Sequence, residues 1–78
     1  MNEEKKTRVH REMPKIGEIR LRYYREEKGL TQTELGKLLD LNWRTISAYE
    51  NGVRIPPMKT AMQISRILGV PVDKIFPV

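Results

Sequence analysis

Residues 31–52, Thr-Gln-Thr-Glu-Leu-Gly-Lys-Leu-Leu-Asp-Leu-Asn-Trp-Arg-Thr-Ile-Ser-Ala-Tyr-Glu-Asn-Gly, are where this chain can do chemistry. They read as two short helices joined by a tight turn. The second has an apolar inner face, with Ile46 and Tyr49 at i, i+3 spacing, and a polar leading edge. That is the arrangement needed to set a helix into a groove of DNA, where recognition rests on hydrogen bonds and apolar contacts. Covalent catalysis has no comparable signal. There is no cysteine, and the single histidine, His10, stands in a highly charged, poorly patterned stretch. The carboxylates are spread over solvated faces, so no constellation supplies nucleophile, base and oxyanion donor together. The chain reads as a non-enzyme with no cofactor. It lacks the cysteine set of a zinc site, and His10 reads as a solvated side chain of an arm rather than a ligand.

The elements that must position this segment follow from local signals. Thr31 opens Thr-x-x-Glu, in which Thr31 caps a helix and Glu34 reaches back to the cap amide. Leu35, Leu38 and Leu39 give that helix its buried side. Gly36 lies among them at a cost of about 1 kcal/mol relative to alanine, which implies that the next helix crosses closely there. Asp40-Leu41-Asn42 is the turn, with Asn42 as N-cap of a helix from Trp43 to about Glu50 and Asn51-Gly52 closing it. Upstream, a regular pattern from near Ile16 to Lys28 puts Leu21, Tyr24 and Arg25 on one face, and Gly29 supplies the stop. Downstream, Pro56 and Pro57 bar helix until a fourth begins around Pro57. Met58, Ala61, Met62, Ile64, Ser65 and Leu68 are its core-facing and adjacent positions, and Gly69 ends it. A last turn spans Val72 to Ile75 or Phe76. The expected architecture is all-α, five short helices, with Val53-Arg54-Ile55 the one stretch that could extend locally. Residues 1–14 read as a flexible arm and residues 15–78 as the folded domain.

Seventy-eight residues make one small domain with a modest core. Such domains lean on disulfides, metals or a partner subunit, and without cysteine the remaining aid is oligomerisation. The formal charge of +5 suits a polyanion without establishing one. Residues 1–29 hold nine basic and six acidic side chains, so no block of pure positive charge exists. Nucleic-acid affinity must therefore come from folded placement of a few cations. No apolar run reaches membrane-spanning length, and the N-terminus lacks the apolar core of a signal peptide. The chain reads as soluble and intracellular, and the expected setting is cytoplasmic.

Gly29-Leu30-Thr31-Gln32-x-Glu34-Leu35, Thr45-Ile46-Ser47-x-x-Glu50-Asn51-Gly52 and Leu68-Gly69-Val70-x-Val72-Asp73 resemble the Cro and phage-repressor type of helix-turn-helix domain, from about Ile16 to Phe76. The resemblance implies a compact, lambda-repressor-like five-helix bundle. Such a bundle binds double-stranded DNA as a dimer, with helix three in the major groove. Carried over by position, it makes Gln32 a phosphate ligand that also braces the start of the recognition helix, and Asn42 a second phosphate contact. Trp43, Arg44, Thr45 and Ala48 take the exposed positions that reach base edges, with Ser47 beside them. Asn51 and Arg54 follow as loop contacts to phosphate. Arg25 and Glu50 match a buried ion pair tying helix one to the end of helix three. Trp43 is unusual at its position and has two readings: packing on a sugar or thymine methyl, or partial burial against the turn or a neighbouring subunit. Asp40 stands where the family usually has glycine, and Pro57 replaces the usual serine cap.

The function implied is a sequence-specific transcriptional regulator, a repressor on a palindromic operator, with half-sites about 34 Å apart. Apolar surplus at Ile19 and Tyr23, and at Ile75, Phe76 and Val78, points to a homodimer interface. The alternative is an antitoxin or adaptor acting on a protein partner, a toxin or antirepressor, with the arm folding on contact. Lys5, Lys6, Arg8 and Arg11 could instead wrap DNA, although Glu3, Glu4 and Glu12 dilute their charge.

Overall fold

The computed structural model describes residues 18–77; the N-terminal arm, His10, Ile16 and Val78 lie outside that range. Among the described residues five helices follow one another: α1 (Leu21–Glu27), α2 (Gln32–Leu39), α3 (Trp43–Glu50), α4 (Met58–Leu68) and α5 (Val72–Ile75). Among the described residues there is no strand, and Val53-Arg54-Ile55 is irregular. No helix of the described residues is long and apolar enough to cross a membrane.

The boundaries are set by local chemistry. Gly29, at φ 78°, closes α1. Its N–H donates to Glu26 O at 2.9 Å while that of Leu30 donates to Arg25 O at 3.1 Å. This left-handed cap satisfies two carbonyls the helix would otherwise orphan. At α2 the capping box is complete: Glu34 N donates to Thr31 Oγ1 at 3.0 Å and Thr31 N to Glu34 Oε1 at 2.9 Å. Asn42 caps α3 by accepting Arg44 N at 2.8 Å. Asp40 takes the left-handed conformation, φ 61°, in the turn between them. Pro57 precedes α4 without a side-chain cap, and Gly69 at φ 71° ends it.

The core is Leu21, Leu35, Ile46, Tyr49, Ile64, Leu68 and Ile75, one or two side chains from each helix. Ile19, Tyr24, Leu39, Leu41 and Phe76 pack around it. Each such buried aliphatic side chain contributes on the order of 1.5–3 kcal/mol relative to exposure.

The structure corrects several expectations. α1 starts at Leu21 rather than near Ile16, because Arg20 N donates to Ile75 O at 2.8 Å and is held out of helical geometry. Ile19 therefore precedes the helix and packs on the core, so the helical i, i+4 spacing that paired it with Tyr23 does not apply. Ile75 is fully buried and Phe76 rests on the core, which removes both from the surplus assigned to an interface. Leu38 is 60% exposed. The inward side of α2 is Leu35, Gly36 and Leu39, and at about 100° per residue Leu38 lies about 110° from the centre of that arc. Met58 and Met62 also face outward, since α4 buries Ala61, Ile64 and Leu68. The neighbour crowding Gly36 is the turn backbone rather than α3: a Cβ there would meet Leu41 O at 2.6 Å.

Candidate nucleic-acid interface

α3 is two-faced. Ile46 and Tyr49 are buried. Advancing about 100° per residue, Arg44, Ser47, Ala48 and Asn51 fall within one arc on the opposite side, with Trp43 and Thr45 on its two flanks. Arg44 and Asn51 are exposed, Trp43 is 43% exposed, and Thr45, Ser47 and Ala48 are half-buried. The five residues assigned to base edges thus share one helix surface, with Thr45 nearest the buried side.

Side chains on this surface are already organised. The Arg44 guanidinium lies over the Trp43 indole, 5.2 Å from its centroid. Asn51 Nδ2 donates to Ser47 Oγ at 3.4 Å, one turn back. Asn42 Oδ1 is committed to the cap of α3, which leaves its NH2 as the group to donate outward. Past the helix, Val53 N and Arg54 N both donate to Ala48 O, at 2.9 and 3.2 Å, folding the loop back onto α3. Arg54 then stands 6.0 Å from the Tyr49 ring centroid.

Behind this surface lies a charged lock. The Glu50 side chain is fully buried and the Arg25 side chain is 8% exposed. Arg25 Nε donates to Glu50 Oε2, its Nη2 to Oε1 at 3.3 Å, and its Nη1 to Leu30 O at 2.8 Å. A buried carboxylate is tolerable only with such a set of donors, because desolvation costs several kcal/mol per ion. Gln32 Nε2 adds a third donor at 3.0 Å, and Arg22 Nε approaches at 3.4 Å from the surface. Gln32 is therefore bonded to the last residue of α3, not to its start as the resemblance implied. α2 and α3 are eight residues each and joined by a short turn, so folding back brings the beginning of one to the end of the other.

Two groups escaped the sequence reading. Arg22 joins the lock, and its i, i+3 spacing from Arg25 on α1 was the available signal. The Arg44–Trp43 contact had none, since neighbours in sequence do not normally face each other on a helix.

Comparison with known proteins agrees with this arrangement. The family model described as Helix-turn-helix matches residues 21–75, from the first residue of α1 to the last of α5. An uncharacterised helix-turn-helix-type transcriptional regulator of Methanocaldococcus jannaschii is 40% identical over 57 residues, covering 73% of this chain and 86% of the relative. A similarly described regulator of Archaeoglobus fulgidus is 32% identical over 57 residues, covering 73% and 81%.

Proposed function

We propose, from the premise that this chain belongs to the helix-turn-helix family, that it is a sequence-specific DNA-binding regulator of transcription. The observation that carries this reading is the outward surface of α3. Arg44, Ser47, Ala48 and Asn51 share one arc while Ile46 and Tyr49 anchor the other side. A helix held in this way presents its polar surface as a rigid unit, and a major groove about 12 Å wide admits it.

In this reading Trp43, Arg44, Thr45, Ser47 and Ala48 face base edges, Ala48 offering only a methyl group. Gln32, Asn42, Asn51 and Arg54 contact phosphates, which set register without carrying sequence information. Gln32 and Asn42 lie at the amino-terminal ends of α2 and α3, where unpaired amides and the helix dipole favour an anion. The protein acts as a repressor on a palindromic operator, in the cytoplasm of a prokaryote, and binds as a homodimer. Support for self-association is the exposed apolar surface of Val53, Ile55, Met58 and Met62, 76%, 88%, 67% and 45% exposed. Met58 and Met62 are i, i+4 neighbours on one side of α4.

Trp43 is the only tryptophan and stands on the proposed contact surface. Its fluorescence is followed while duplex DNA from immediately upstream of the gene is titrated in, with a scrambled duplex as control and sedimentation giving the mass. A saturable change with the native duplex alone, from a dimer, supports an autoregulating repressor. Equal weak binding to both places the operator elsewhere. No binding by fluorescence or anisotropy, with self-association intact, moves the reading to an antitoxin or adaptor working through protein contact.

A further inference from the structure

We propose that Trp43 is the residue that positions Arg44 for base reading, so that indole and guanidinium act as one specificity-determining unit. The proposal rests on the DNA-binding reading and deepens it.

The contact is not a default of helix geometry. Side chains at i and i+1 diverge by about 100° around a helix, so the Arg44 guanidinium reaches the Trp43 ring only by curling back toward the start of α3. The indole face is the partner a guanidinium prefers, through its negative quadrupole and through planar stacking. Residue 44 is thereby held twice: its backbone N–H by Asn42 Oδ1 at 2.8 Å, and its charged end by the ring 5.2 Å away. A free arginine samples many rotamers and surrenders that freedom when it binds, whereas a stacked one has already lost part of it. Arg44 is exposed, and a guanidinium held over a ring face keeps the donors at its edge free to match the paired O6 and N7 acceptors of guanine. It also delivers the charge to the leading turn of α3.

This accounts for a large aromatic side chain left 43% exposed at the first position of a recognition helix. A tryptophan merely in contact with DNA would add affinity by itself. A positioning tryptophan adds nothing once the arginine is gone.

The test is a double-mutant cycle read as sequence preference. Wild type, Trp43→Ala, Trp43→Phe, Arg44→Ala and the Trp43→Ala/Arg44→Ala pair are each used to select duplexes from a randomised pool. Affinities for the best duplex are then measured at one salt concentration. The expected result is that Trp43→Ala weakens, by about two- to fivefold, the same guanine preference that Arg44→Ala removes. The double variant is no worse than Arg44→Ala alone, and Trp43→Phe retains most of the preference. In the free protein, Arg44→Ala shifts the Trp43 emission. An undiminished guanine preference in Trp43→Ala, or additive losses in the double variant, overturns the positioning role. Failure of the wild type to select any sequence overturns the DNA-binding reading itself, a different and recognisable outcome.

Discussion

Gln32, the first residue of α2, donates its side-chain amide to the buried carboxylate of Glu50, the last residue of α3, at 3.0 Å. The same carboxylate holds Arg25 of α1. One acidic group therefore fixes the relative placement of all three helices that frame the proposed DNA surface. Removing it would disturb fold and function together.

Arg25→Met should unfold the domain. It leaves Glu50 buried with its main partner gone, at about 3–5 kcal/mol. That is comparable with the lower end of the 5–15 kcal/mol by which small domains are stable. Circular dichroism on heating should show little or no cooperative transition. Arg25→Met combined with Glu50→Leu should recover part of the loss. A helical, cooperatively melting single variant would show that the pair contributes little.

Gly36→Ala should destabilise despite alanine being the better helix former. The added Cβ would meet Leu41 O at 2.6 Å, and that oxygen belongs to the turn backbone. Overpacking of this kind costs about 1–3 kcal/mol, against a propensity gain of about 1 kcal/mol. The urea midpoint should fall, and a rise would mean that the turn can shift freely.

Asp40→Gly should stabilise modestly. Asp40 holds φ 61°, a left-handed conformation that disfavours any side chain. Relief of that strain outweighs the entropy of an added glycine, for a gain under about 1 kcal/mol. Denaturant titration measures it, and Asp40→Val should lose stability in the same assay.

Arg44→Ala and Arg54→Ala should weaken DNA binding differently. Loss of a base-reading arginine costs about 1–3 kcal/mol on the preferred duplex and relaxes preference at one position. Loss of a phosphate contact weakens all duplexes alike and reduces the salt slope by about one. Anisotropy titrations on preferred and scrambled duplexes at two salt concentrations separate the two. Identical behaviour of the variants would undo the division of roles between α3 and the loop that follows it.

The parts of this protein legible in its residue order are those governed by contacts a few positions apart. Thr31 with Glu34, Asn42 with Arg44 and the stop at Gly29 are local bonds, so the limits of α2 and α3 and the end of α1 follow from side-chain type alone. The inward faces of α3 at Ile46 and Tyr49 and of α4 at Ile64 and Leu68 were equally plain. Where an apolar stripe is wider than the space its neighbours leave, periodicity has no means of choosing. Leu38, read as part of the buried side of α2, and Met58 and Met62, read among the core-facing and adjacent positions of α4, stand exposed, because Leu35, Ala61 and Ile64 fill the core first. The start of α1 waits on a carbonyl at Ile75, 55 residues later, which takes the amide of Arg20. Gln32 meets Glu50, and Arg44 turns back onto Trp43, for the same reason. Such pairings depend on how helices cross and how long side chains bend, and neither is encoded in spacing.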